Sequence, residues 1–382
     1  MLNRLLRRSP LPSVLLKASP FKPSLAVPKS TELRWLHETQ HLKTNPPLTN
    51  ARLLTNRTAK TAAEQLHAQG YAHVRLGAAA SLIDMQAAAA PLMGLADPAA
   101  GGRYNGAGGV TRPTLGASLW SDAGVGAYKQ LPIQFHNEMA YASSFPKMVA
   151  FAMVKQAESD GDTLLCDNVQ LTALLSAQLR RQMADGVRYV RILHPEASRG
   201  QADFYSSWEG AFQTDDLGTA VARAGAAGGA LEALPSGRRL RHTVWAPVFH
   251  GHPKYGELYF SSILNRHGSW LDGHAHFGQL PLAERPYHCV WADGAELSDA
   301  EIAEIYDVHE RSTQRLQLAE GDVVVIDNLR VAHGRTPWSG TGRTMGLLLS
   351  ELVEREAHRQ PPAAFFAWAA AAHGGGLPAV RH

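Results

Sequence analysis

Gly321-Asp322-Val323-Val324-Val325-Ile326-Asp327-Asn328 runs directly into Leu329-Arg330-Val331-Ala332-His333-Gly334-Arg335. The unbroken β-branched run from Val323 to Ile326 suits a strand covered on both faces, and the turn formers at its ends set its limits. A further strand is expected from Arg343 through Met345, Leu347 and Leu349, whose alternate positions share a face, so Arg343 can point into the same cavity as His333. Other strand-like runs are scattered along the chain with helical stretches between them. There is no regular alternation of strand and helix, which argues against a doubly wound sheet or a TIM barrel. The expected class is mainly β with helical insertions, a jelly roll.

Upstream stands Leu131-Pro132-Ile133-Gln134-Phe135-His136-Asn137-Glu138-Met139-Ala140-Tyr141. Its first half reads as a strand, in which residues i and i+2 project to one face, so His136 and Glu138 are expected to converge on one ion. With 18 His and 34 Asp plus Glu, an H-x-D/E match should arise roughly once or twice by chance, and His194-Pro195-Glu196 is such a match. There the proline denies the ladder an N–H, so the segment is expected to end a strand over 189–192. His136, Glu138 and His333 together would give two imidazoles and one carboxylate on one face of a metal, leaving its other positions open, which suits Fe(II). The same donors also suit a catalytic zinc, so a metal-dependent hydrolase is a rival reading. Arg343 carries a planar guanidinium able to grip a carboxylate through two parallel hydrogen bonds.

These stretches resemble the taurine dioxygenase and clavaminate synthase-like branch of the Fe(II)/2-oxoglutarate oxygenases. The matching segments are 131–141, Phe145-Pro146, Gly161-Asp162-Thr163 and 321–343, with weaker similarity at 106–112, 186–191 and 212–216, in the family's order and over most of residues 59–352. The resemblance implies a double-stranded β-helix with the metal at its mouth. It implies that His136, Glu138 and His333 hold Fe(II) and that Thr163 and Arg343 grip the distal carboxylate of 2-oxoglutarate. It further implies that O2 is consumed, that succinate and CO2 are released, and that a C–H bond of a small acid or amino-acid-like substrate is hydroxylated. Glu138 favours hydroxylation, because a related halogenase would need a small residue there to admit chloride. Where the family pattern has a glycine pair, a tryptophan and Trp-Phe-Asn, this chain has Asp160-Gly161, Leu318 and Tyr259-Phe260-Ser261, which leaves the substrate open. Thr163 with Arg343 argues against the hydrolase, which has no need of a carboxylate clamp, and the intact ligand set argues against a non-catalytic barrel serving only to bind.

Several side chains have plainer readings beside the functional one. Thr163 could bond local backbone, Arg335 could serve the substrate or support the ligands, and Asp327 and Asn328 could orient His333 or form the turn. His250-Gly251-His252 and His274-Ala275-His276 read as solvated loop histidines, and Cys166 and Cys289 as small buried hydrophobes, too few for a disulfide framework.

The 382 residues, 45% hydrophobic and 19% charged, allow one large domain with appendages. Residues 51–352 are expected to form the oxygenase domain, with 1–50 a basic leader or tail and 353–382 a C-terminal tail. The first 31 residues hold six Lys or Arg and no acid, as in an organelle transit peptide, so the location is expected to be cytoplasmic, or a mitochondrial or plastid matrix if the leader directs it there. A net charge of +3 gives no reason to expect nucleic acid as a partner, and no apolar run suggests a membrane span. The expected partner is a small molecule. The helices are expected at 61–69, 168–185 and from Ser298 toward Arg315, the last opened by a Ser298-x-x-Glu301 capping box. Residues 101–109 read as a flexible loop, 220–237 as helix and loop, and 365–368 as an apolar patch in the tail.

Overall fold

Val323, Val324, Val325 and Ile326 are all fully buried, as a strand covered on both faces requires. A computed structural model describes residues 48–49, 56–95, 112–116, 118–124, 131–196, 206–234, 239–355, 361, 365 and 367–369. Its principal strands are β1 (Tyr71–Arg75), β2 (Ile133–His136), β3 (Met148–Lys155), β4 (Thr163–Asp167), β5 (Val187–Leu193), β6 (Leu240–Ala246), β7 (Tyr287–Trp291), β8 (Thr313–Leu316), β9 (Asp322–Asp327), β10 (Val331–Arg335) and β11 (Thr344–Leu349). One sheet runs Leu48–Thr49, β1, β9, β3, β11, Ser121–Asp122, and a second runs β8, β4, β10, β2.

The register explains how the two sheets share a core. Phe151 on β3 lies opposite Val324 on β9 and Leu347 on β11. This row points inward, where it packs with Leu165, Leu316 and Val331 of the second sheet. The neighbouring row, Ala150, Val325 and Leu348, points outward against Trp120 and the helix Leu82–Leu92. That helix is fixed at its start by Ser81, whose side chain accepts from the Asp84 N–H while Asp84 returns the bond. Two facing sheets with helices laid outside them form the expected jelly roll, open and not closed into a barrel. A third sheet, Gly229–Ala233, β6, β5, β7, extends the architecture.

Some local expectations are corrected. The segment 168–185 is two helices, Asn168–Leu174 and Ala177–Met183, because Ser176 caps the second through the Leu179 N–H and so ends the first. Residues 220–237 hold the end of the helix Leu217–Ala226 and then a strand, Gly229–Ala233, which finds a ladder partner in β6. His250 and His252 lie in a hairpin, Phe249–His252 with Gly256–Tyr259, and His250 is buried against Phe145 and Phe260. The helix from Ser298 is Asp299–Arg311, the β strand near His194 ends at Leu193, and both cysteines are buried and free. In the tail, Phe365 and Trp368 lie against each other and the Arg188 guanidinium. Of the 1–50 leader only Leu48–Thr49 is described, as a short strand parallel to β1, and residues 1–47, the 101–109 loop and Gly374-Gly375-Gly376 lie outside the described residues. Among the described residues no helix is long and apolar enough to cross a membrane.

Candidate metal centre

β10 lies between β4 and β2, and its register places His333 opposite His136, with ring centroids 4.3 Å apart. β2 ends at His136, so Glu138 does not share a strand face with it, contrary to the i, i+2 expectation. The chain turns instead, with Met139 at φ 58°. Asn328 holds this turn. Its Oδ1 accepts the Glu138 N–H at 2.8 Å, and its Nδ2 donates to the carbonyls of Glu138 at 3.0 Å and Pro146 at 2.8 Å. Asn137, between the two candidate ligands, donates its own Nδ2 to the Asn328 carbonyl at 2.7 Å and accepts the Ser261 N–H at 3.2 Å. Both asparagines are fully buried, so these bonds bear on unscreened polar groups. Asn137 carries no signal as a site residue in a single sequence, while Asn328, expected to orient His333 or form the turn, in the fold brackets Glu138. Asp327 forms the turn, accepting the Leu329 N–H at 3.0 Å.

Glu138 Oε2 lies 3.9 Å from His136 Nε2 and 3.8 Å from His333 Nε2. A gap of this size lets one ion sit about 2 Å from both atoms of a pair, the bond length nitrogen and oxygen donors need. The protonation states suit such an ion. His136 Nδ1 lies 2.9 Å from the Gln134 carbonyl, which can only accept, so Nδ1 carries the proton and Nε2 presents a lone pair. Burial, with the charges nearby, holds the His136 pKa down to about 3, so the ring is neutral. Burial pushes the Glu138 carboxyl up, but His333 and His136 more than offset it and bring it to about 2, so it is ionised. His333 Nδ1 is buried beside the Phe151 ring, without a hydrogen-bond partner among the described residues. Imidazole nitrogens facing a carboxylate with no hydrogen bond between them make a donor set that a divalent cation satisfies.

A second trio, His267, His288 and Glu296, also brings donor atoms within 4.8 Å of one another. Here the tautomer argues the other way. The Gly268 N–H donates to His288 Nδ1 at 3.2 Å, so the proton is on Nε2, which donates to Glu296 at 2.7 Å. The His288 imidazole is part of a hydrogen-bonded chain, and its outward nitrogen has no lone pair to offer.

The other candidate residues gather where β4 begins. Thr163 is buried and pairs with Arg335 across the ladder. Arg343 donates to the Gly161 carbonyl at 3.1 Å, and its Nε is buried with no hydrogen-bond partner among the described residues. Gly161, at φ +79°, makes this approach possible, since a Cβ there would come within 3.0 Å of Arg343 Nε. Arg335 is buried beside it and donates to the Leu131 carbonyl at 2.7 Å. Burial and the Arg343 charge push Arg335 down to about 9, and burial lowers Arg343 as well. Two neighbouring buried guanidiniums, with the Asp162 carboxylate offsetting only part of the burial cost at Arg343, form a place for an anion.

The family described as taurine catabolism dioxygenase TauD, TfdA family matches residues 40–348. The dapdiamide synthesis protein DdaC of Enterobacter agglomerans is 25% identical over 233 residues, 60% of this chain and 68% of that protein. A clavaminate synthase-like protein of Arabidopsis thaliana is 25% identical over 229 residues, 56% of this chain and 64% of its own length. A solved structure described as AAD-2 in complex with Mn(II) and N-oxalylglycine superposes with a TM-score of 0.45 at 12% identity, covering 82% of this chain and 94% of that one.

Proposed function

The chain belongs to the TauD/TfdA family of taurine catabolism dioxygenases, and from that premise we propose that His136, Glu138 and His333 hold its iron, that Thr163 and Arg343 hold the distal carboxylate of 2-oxoglutarate, and that it hydroxylates a C–H bond of a small acid or amino-acid-like substrate. Its activity is that of a 2-oxoglutarate-dependent non-haem iron dioxygenase, using Fe(II), 2-oxoglutarate and O2. Bound together, iron and 2-oxoglutarate supply the oxidising chemistry, in which O2 gives one atom to succinate as CO2 leaves and one to the substrate. The hydrolase and binding-module readings find no support in this family.

The protein's own groups bind and orient. The Gln134 carbonyl keeps the proton of His136 on Nδ1, which aims Nε2 at the ion and fixes the ring. Glu138 contributes the one anionic donor, held by the Asn328 bracket. The Arg343 and Arg335 pair supplies positive charge for the cosubstrate's far carboxylate, which in turn relieves their repulsion. The observation that carries the metal assignment is the convergence of His136 and His333 on Glu138 with no hydrogen bond among them. Residues 51–352 act as the oxygenase domain in this reading, and a net charge of +3 supports a small-molecule substrate over a nucleic acid.

Anaerobic addition of Fe(II) and 2-oxoglutarate tests the reading, with a visible metal-to-ligand charge-transfer band expected. Glu138→Ala or His333→Ala should remove both the band and succinate formation; unchanged succinate in either variant would mean the ligands are misassigned. Arg343→Ala should weaken 2-oxoglutarate binding and leave iron in place.

A further inference from the structure

Thr336 directly follows β10, the strand that carries His333, and its side chain is buried. Its hydroxyl oxygen accepts two backbone N–H groups, from Gly161 at 3.1 Å and from Asp162 at 2.9 Å, and its own N–H donates to the Asp162 carbonyl at 3.0 Å. These bonds tie the end of β10 to the turn that opens into Thr163. That turn needs holding. Asp160 stands at φ 58° and Gly161 at φ 79°, two consecutive residues in the left-handed region, with an aspartate in the first place where the family pattern has a glycine. The Arg315 guanidinium also pairs with the Asp162 carboxylate and lies 3.8 Å from that of Asp160. The Gly161 N–H reaches the Pro337 carbonyl as well, at 3.0 Å, so the hydroxyl counts most at the Asp162 N–H.

Both guanidiniums of the anion site rest on this residue. The Gly161 carbonyl, in the turn that the hydroxyl holds, accepts from Arg343 Nη2 at 3.1 Å, and the Thr336 carbonyl accepts from Arg335 Nε at 3.1 Å. Thr163 comes next after the turn and lies opposite Arg335 across the ladder. Gly161 and Arg343 are packed so closely that a displacement of the turn is passed on to the guanidinium. A two-point grip on a carboxylate depends on the plane in which that guanidinium is held.

We propose that Thr336 is a positioning residue for the cosubstrate, its hydroxyl holding the 160–162 turn so that Thr163 and Arg343 meet the far carboxylate of 2-oxoglutarate together. The assignment rests on the dioxygenase reading above. Thr336 acts through its neighbours and need not touch the ligand. A threonine serving only to fill space would be replaced without loss by valine, which has the same shape.

The test compares Thr336→Val, which loses the acceptor, with Thr336→Ser, which keeps it; Thr336→Ala takes the place of the valine variant if that protein fails to fold. In the metal-free protein, amide hydrogen exchange over residues 160–163 should quicken about tenfold in Thr336→Val and stay slow in Thr336→Ser. Titrating 2-oxoglutarate anaerobically into the Fe(II)-loaded protein, followed by the charge-transfer band, should show affinity about tenfold weaker in Thr336→Val, as the loss of one buried acceptor implies, and nearly unchanged in Thr336→Ser. Iron affinity should be retained in both, and in turnover the KM for 2-oxoglutarate should rise more than kcat falls. Added to Arg343→Ala, the valine substitution should cost much less than it does alone, because its effect passes through Arg343. Unchanged 2-oxoglutarate affinity in Thr336→Val, an equal loss in Thr336→Ser, or a full further loss on top of Arg343→Ala overturns the proposal. Unaltered 2-oxoglutarate affinity in Arg343→Ala alone overturns the carboxylate-clamp reading instead, so the two failures are told apart.

Discussion

Asn328 illustrates how far a side chain outside the ligand set governs it. One carboxamide satisfies the Glu138 N–H and two carbonyls, while the Asn328 backbone carbonyl accepts from Asn137 Nδ2. Asn328→Asp keeps the shape but replaces the donor with a second acceptor, leaving the Glu138 and Pro146 carbonyls facing a carboxylate. Iron affinity should fall by roughly tenfold to a hundredfold, read by metal titration, and the melting temperature should drop. Wild-type affinity in that variant would show that the turn holds itself. Gly161 governs the other end of the site. Gly161→Ala adds backbone strain at φ +79° and a methyl group that would crowd Arg343 Nε and Trp338 Cβ at 3.0 Å. KM for 2-oxoglutarate should rise several-fold while iron binding is retained, and an unchanged KM would dissociate Arg343 from the cosubstrate.

At the scale of elements, legibility followed the range of the forces involved. The run Val323 to Ile326 and the alternation Met345, Leu347, Leu349 announce their strands, because burial on both faces or on one face writes directly into composition. The Ser298-x-x-Glu301 box was equally plain, its partners being three residues apart; in the fold Ser298 Oγ accepts from the Glu301 N–H and Glu301 accepts from the Ser298 N–H. Ser298→Ala should therefore cost about 1 kcal/mol in a denaturation experiment, with the fold unchanged; no loss would mean that packing of Ile302 and Ile305 alone fixes this end. The candidate ligands His136, Glu138 and His333 stand out in the sequence by type and order, and the fold brings them together, but the path of the chain through them was not legible. Glu138 leaves the strand because Asn328, remote in sequence, captures its backbone, and nothing local signals that capture. The strand Gly229–Ala233 escaped for a similar reason, as its Ala-Gly composition favours no strand and the open edge of β6 supplies the preference.

For the whole molecule, the packing of three sheets and their helices places ionisable rings where charge is costly, and this sets its response to acid. His309 is fully buried, stacked on Phe135 at 5.1 Å and edge-on to Tyr259 at 5.2 Å, with Nδ1 2.7 Å from the Ile305 carbonyl. Burial lowers it from 6.5 to about 4, and burial with the charges of His288 and Arg285 lowers His267 from 6.5 to about 3. A histidine depressed in the fold takes up its proton more readily when unfolded. Its contribution is therefore fully present above pH 6.5 and is lost as pH falls toward the folded value. Each such group contributes at most about 1.4 kcal/mol per pH unit, so moving from about pH 7 to about pH 5 should remove about 2 kcal/mol for each of the two. Most exposed carboxylates stay ionised over that interval, which makes the loss attributable to histidine. Urea denaturation of the metal-free protein at the two pH values should show it as a lower midpoint at pH 5. His309→Phe, which preserves the aromatic contacts and cannot titrate, should remove about 2 kcal/mol of the pH dependence, while His136, His242 and His267, each also held low by burial, keep their share. An unchanged dependence in that variant would mean that His309 is already protonated in the folded protein or never titrates on unfolding. Either outcome would contradict a neutral ring buried between Phe135 and Tyr259.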